Sequence, residues 1–168
     1  MAPRNRFLVL SWLIVYWSQL PAYSLERGIA RFLAPSVYRL GEQYFAHVEQ
    51  ASKISFIPEQ RTYLKNYLTC FSPIPLKPSL VKIQRKEYLK LKKHLKQEWC
   101  LVYGQPWPHE IKFVGDTYQI VDLDVHHIFH LSNGGPNLYW NIHPIEKDIH
   151  HFVIHAPGAP GEILHGKI

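Results

Sequence analysis

Residues 125–155 read VHHIFHLSNGGPNLYWNIHPIEKDIHHFVIH and hold seven of the eleven histidines of a 168-residue chain. Even scattering would put about two there. Imidazole is the commonest protein ligand for a transition metal and the usual general base near neutral pH, where its ordinary pKa of about 6.5 suits proton transfer. Residues 121–129, rich in β-branched and aromatic side chains, predict a strand. Ser132-Asn133-Gly134-Gly135-Pro136-Asn137 predicts a turn, since glycine tolerates positive φ and proline fixes its own. Residues 138–142 predict a second short strand. Pro144 suits the first position of a helix, and Glu146 and Asp148 suit its first turn. That helix should run to His155 and stop before Ala156-Pro157-Gly158.

On such a helix His151 and His155 are spaced i, i+4 and share a face, so they can hold one ion between them. His126 and His127 are adjacent on a strand and point to opposite sides. One can complete a metal site while the other faces a substrate. Three neutral imidazoles leave coordination positions open, as a catalytic site needs.

The His126-His127 pair, the Gly134-Gly135 turn, Asn141 and the H-x(3)-H of His151 and His155 resemble the HNH (ββα-metal finger) endonucleases. The likeness is greatest to their histidine-rich branch, the DNase colicins, pyocins and related toxin nucleases, and it spans residues 118–160. It implies an α+β fold with N-terminal helices packed on a C-terminal ββα-metal finger. It implies that His126, His151 and His155 bind one divalent ion (Zn, Ni, Mn or Mg), that His127 is the base and that Asn141 braces the loop. Asp124 matches an acidic residue common in the family. The segment from Asn141 to the helical histidines is one residue longer than in the colicins, so His150 stays open as the alternative to His151, although the position four after it is Ile154. His130 and His143 read as polar residues near a charged site. The implied activity is hydrolysis of DNA phosphodiesters with low sequence specificity. RNA cleavage by a toxin, or a non-catalytic zinc-containing polyanion binder, are the alternatives. Whether an inhibitor protein exists is left open.

Arg4 and Arg6 precede an apolar run, residues 7–17, and then Pro21-Ala22-Tyr23-Ser24. This is the pattern of a secretory signal peptide cleaved near Ser24, over a run too short to span a bilayer. The expectation is a secreted or periplasmic protein, free of the membrane after cleavage and without the receptor-binding modules of a colicin. Residues 25–168 suffice for one core, built from a helical part (25–100) and a catalytic part (101–168). In an oxidising compartment Cys70 and Cys100 are expected to form one disulfide, with two free thiols as the alternative.

Three helices are expected over 25–33, 36–52 and 59–68, the last opened by Pro58, then a proline-rich loop over 72–78. Residues 82–98 predict a fourth, with Tyr88, Leu91, Leu95 and Trp99 as an apolar stripe. Its other faces carry Lys82, Arg85, Lys86, Lys90, Lys92, Lys93 and Lys96. Residues 25–100 hold 14 Lys/Arg against 6 Asp/Glu, a net of +8, whereas 101–168 hold 3 against 7, a net of −4. The helical half is therefore the part expected to attract nucleic acid, through salt-sensitive phosphate contacts. No base-reading motif accompanies it. A strand over 110–114 and a Gly115-Asp116 hairpin turn should lead into the catalytic strand. The tail, 156–168, should wrap the surface, with no role visible for His165.

Overall fold

Helix formation in the first half follows prolines and apolar periodicity. In the computed structural model, which describes residues 35–71 and 74–166, α1 spans Pro35–Ser52, α2 Pro58–Leu68 and α3 Pro78–Tyr103. Pro58 and Pro78 each open their helix at the first turn, where the missing N–H costs nothing. The expected signal peptide and first helix lie outside the described residues. The helix expected from Ser36 starts one residue earlier, at Pro35.

The remaining elements are β1 His109–Val114, β2 Thr117–Asp122, β3 Asp124–His127, β4 Ile142–Ile145, a helix α4 over Lys147–Ile149 that continues as a π turn over His150–Ile154, and α5 Pro160–Leu164. Two antiparallel pairs form, β1 with β2 and β3 with β4. The described chain is thus α+β, with five helices and two small sheets, and none of those helices is long and apolar enough to cross a membrane.

Several boundaries differ from the sequence expectation. The single strand expected over 121–129 is broken at Leu123, whose N–H donates to the Pro108 carbonyl instead of to a ladder. The hairpin of β1 and β2 therefore stands apart from β3. The strand expected over 138–142 begins only at Ile142, because Tyr139–Asn141 is a 3₁₀ turn. Pro144 lies within β4, opposite Val125, rather than opening a helix. A two-stranded sheet leaves β4 a free edge, so the absent N–H is tolerated. A residue before proline also disfavours the α region, which keeps His143 extended.

The main core joins the two halves. Tyr44, Phe45 and Val48 of α1 and Leu64 and Leu68 of α2 pack with Phe56 and Phe71 on Ile128, Phe129, Trp140, Ile145, Ile154 and Leu164. Each such side chain contributes on the order of 1.5–3 kcal/mol by leaving water. The predicted stripe of α3 forms a second cluster, in which Leu95 and Trp99 are buried with Trp107 and Ile142, and Tyr88 and Leu91 pack at its edge. Buried Gln60 donates its amide to the Trp140 and Ile142 carbonyls at 2.9 and 3.0 Å, and its Oε1 accepts from Tyr103. One side chain thereby ties α2 and α3 to the entry of β4.

Cys70 and Cys100 are free thiols, so the expected disulfide is not formed. The Cys70 thiol donates to the carbonyl of Tyr67, whereas Cys100 packs at the edge of the α3 cluster. The tail also differs from a surface wrap. It folds into α5, which buries Gly161, Glu162, Leu164 and His165. A Cβ on Gly161 would meet the Tyr44 ring at 2.5 Å, so only glycine lets α5 approach α1 this closely.

Candidate metal centre

His126 sits in β3, directly opposite His143 of β4. Its side chain is buried, with Nε2 2.6 Å from the Tyr44 hydroxyl of α1 and Nδ1 3.0 Å from Nε2 of His150. In the tautomer whose Nε2–H donates to Tyr44, the Nδ1 lone pair is turned towards His150.

The helix after β4 supplies the other imidazoles through an unusual turn. The His155 N–H donates to the His150 carbonyl at 3.2 Å, an i→i+5 bond, so His150–Ile154 is a π turn. On a regular helix residues five apart point about 140° away from each other. The wider π turn stacks them, and such turns are frequent at functional sites. Nitrogens of His126, His150 and His155 consequently lie within 4.8 Å of one another. His155 Nδ1 donates to buried Glu162 at 2.7 Å, which leaves its Nε2 lone pair for the centre. Glu162 thus stands to His155 as outer-shell carboxylates stand to metal-binding histidines.

This donor set suits a divalent ion. His126 Nδ1 and His150 Nε2 face each other at 3.0 Å, where one neutral imidazole's N–H donates to the other's lone pair or a bound cation takes that proton's place. Burial favours the neutral form of these imidazoles. It holds His126 well below the ordinary histidine range, aided by the neighbouring imidazoles, and it brings His150 down to about 4, with the charge of His155 adding and Asp124 opposing. Ligands must be neutral to bind metal, and His126 and His150 are neutral at pH 7.

His127, the next residue, turns the other way, as strand alternation requires. Its Nε2 is 3.2 Å from Asn137 Oδ1, and its ring meets Tyr88 of α3 edge-on at 4.7 Å. The Asn137 amide donates to the Gln84 carbonyl of α3, so its oxygen is the end that faces His127. His127 therefore carries its proton on Nε2 and a lone pair on Nδ1. Burial lowers its pKa to about 4, well under the ordinary value expected from sequence, with the Asn137 bond opposing. Both histidines of the pair still line one cavity of about 270 Å³, together with His130, His150, His155 and Arg85.

The loop between β3 and β4 is held by Asn141, which is fully buried. Its Oδ1 accepts from the Phe129 N–H at 2.8 Å, and its amide donates to the Phe129 and Pro136 carbonyls at 3.0 and 2.9 Å. Gly135 passes so close that a Cβ would lie 1.8 Å from the Phe129 carbonyl oxygen. Gly135 is thus a packing requirement, while Gly134 supplies the positive φ of the turn.

The structure brings together His126, His150 and His155, not His126, His151 and His155. His151 is exposed, stacks on His150 with ring centroids 5.3 Å apart, and shares a second possible ligand group with Asp124 and His150. The i, i+4 argument assumed a regular helix, and the π turn shifts the register by one. Asp124 lies at the start of β3, with Oδ2 3.8 Å from His150 Nδ1, beyond hydrogen-bond reach. His130 stacks on His165 at 3.6 Å, and its backbone N–H donates to His165 Nε2 at 3.2 Å, so both belong to the buried wall behind His155. His143 is buried against Phe56 and Ser52, and burial lowers its pKa to about 3. Tyr44, Asn137 and Glu162 escaped the sequence reading, because nothing local marks a side chain that acts from a distant element.

Of the basic residues, Lys82, Arg85, Lys86, Lys90, Lys92 and Lys93 are exposed on α3, and Lys90 pairs with Glu87 at 3.6 Å. Lys96 differs. It is half-buried, pairs with Asp122 at 2.6 Å and lies 4.7 Å over the Trp107 ring, joining α3 to the hairpin.

The chain resembles a bacterial toxin. It is 27% identical over 136 residues to Toxin YxiD of Bacillus subtilis (strain 168), a match covering 73% of this chain and 23% of that protein. The chain therefore spans about a quarter of the length of the curated relative it matches. No protein-family model and no solved structure matches it. A distant toxin relative with a histidine cluster able to hold a metal ion is the description these comparisons support.

Proposed function

We propose that the chain is a metal-dependent endonuclease of the HNH type, a toxin module that hydrolyses phosphodiester bonds of DNA with low sequence specificity. One observation carries the reading. Three imidazoles, His126, His150 and His155, converge beside a fourth, His127, which lines the same cavity and whose Nε2 is held by Asn137. The order β3, loop, β4, α4 and the brace at Asn141 support the reading of a ββα finger.

His126, His150 and His155 would hold one divalent ion, Zn, Ni, Mn or Mg, with nitrogen donors favouring the transition metals. Bound there, the ion supplies Lewis-acid stabilisation of charge developing on phosphate oxygens. His127 Nδ1 takes a proton from water, and Asn137 and Tyr88 hold the imidazole in the required tautomer and orientation. Arg85, at the cavity edge, pairs with the phosphate, and the exposed lysines of α3 hold the flanking backbone. The charged, apolar and small-residue pattern of residues 1–24 supports export, and the toxin relative favours an antagonistic role over scavenging.

A plasmid-nicking assay with Mg, Mn, Zn or Ni and an EDTA control tests the reading, with transfer RNA in parallel to decide the nucleic acid. Cleavage should need metal and disappear in His127→Ala, which keeps full metal affinity because it removes no ligand. Undiminished nicking by that variant, or in EDTA, would overturn the assignment.

A further inference from the structure

A second cavity, of about 360 Å³, adjoins the histidine site and is lined by Leu76, Pro78, Val81, Lys82 and Arg85. Arg85 lines both cavities, so its side chain stands where they meet. The wall is built from the first turns of α3 and the loop before it. The Leu76 N–H donates to the Ser132 carbonyl at 2.7 Å, which pins that loop against the turn after β3. Ser132 in turn lines the histidine cavity. The second cavity is therefore fixed in place relative to the catalytic one.

Its chemistry is uneven in an informative way. Leu76, Pro78 and Val81 offer apolar surface with no side-chain donor or acceptor. Lys82 and Arg85, three residues apart on one helix face, supply two cations, and no carboxylate lines the cavity. An occupant should have an apolar face and two anionic groups spaced like Lys82 and Arg85 along α3. A nucleotide within a polynucleotide has that form.

Resting on the nuclease reading, we infer that this cavity is a subsite for one unstacked nucleotide next to the scissile phosphate. Its base lies against Leu76, Pro78 and Val81, Arg85 pairs with the phosphate shared with the histidine site, and Lys82 pairs with the next phosphate. The apolar wall cannot read base edges, so the subsite accepts any base. Unstacking costs least in single strands, so the enzyme prefers single-stranded or gapped nucleic acid over intact duplex.

The test is binding to the full chain in EDTA, by fluorescence anisotropy, of a labelled thymidine octanucleotide and of an octameric deoxyribose-phosphate backbone without bases. The octanucleotide should bind about fivefold tighter, as expected for one base covering roughly 40 Å² of apolar surface at about 25 cal/mol per Å². Val81→Glu and Val81→Lys should both abolish that difference while shifting affinity for the bare backbone in opposite directions. Equal binding of the two probes by the unmodified chain, or a difference that survives both substitutions, overturns the subsite. Metal-dependent nicking with no probe difference would sink the subsite alone. A probe difference with no cleavage under any metal would keep the nucleotide site and remove the nuclease.

Discussion

Replacing His150 and His151 separately by alanine distinguishes the π-turn register from a regular helix. His150 Nε2 lies 3.0 Å from His126 Nδ1, and both share the centre with His155. Losing an outer-shell partner of a metal ligand typically costs 10–100-fold in affinity, so losing a ligand should exceed about 100-fold, or roughly 2.8 kcal/mol at about 1.4 kcal/mol per tenfold. His151 is exposed and only stacks on His150. A surface substitution of that kind falls within about 0.5 kcal/mol, so His151→Ala should weaken zinc binding no more than about twofold. Chelator-competition calorimetry at pH 7 reads both, with a urea midpoint to show that each variant is folded. A large loss in His151→Ala with little loss in His150→Ala would mean that the helix is regular and that the i, i+4 pair is the binding one.

Three other outcomes follow from the same geometry. Glu162→Gln keeps the shape of the His155 partner but removes its charge, and should lower metal affinity about 10–100-fold by calorimetry with little change in folding. Asn141→Ala leaves the Phe129 N–H and two carbonyls without their partner inside the core. A cost of about 3 kcal/mol is expected, read as a drop of roughly 10 °C in the thermal midpoint. The metal-free chain should also lose stability on acidification. His143, held to about 3 in the fold, titrates near 6.5 when unfolded, so its contribution is complete above pH 6.5 and fades as pH falls towards 3. At pH 5 this one group should cost about 2 kcal/mol, and the lowered His127 and His150 act in the same direction. Urea midpoints at pH 7 and pH 5 check this, and a flat profile would refute it.

Local chemistry settled much of this protein. Prolines and the 3.6-residue stripe placed α2 and most of α3, and glycine with histidine spacing located the loop of the site. Asn141 could be singled out only through the resemblance to the HNH endonucleases, which implied that it braces the loop. The extra residue before His155 was also visible, but its meaning was not, because α and π turns differ only in which carbonyl takes the N–H. That choice is made by packing. Ile154 must reach the core while His150 and His155 both face His126, and only the wider turn allows it. Pro144 shows the same division, since its fixed φ suits both a first helical turn and an edge strand, and pairing with Val125 selects the strand. Tyr44, Asn137 and Glu162 act across distances of 82, 10 and 7 residues. Sequence supplied the donors of the centre, but their convergence depends on hydrogen bonds and close approaches that exist only once α1, α3 and α5 are packed around β3.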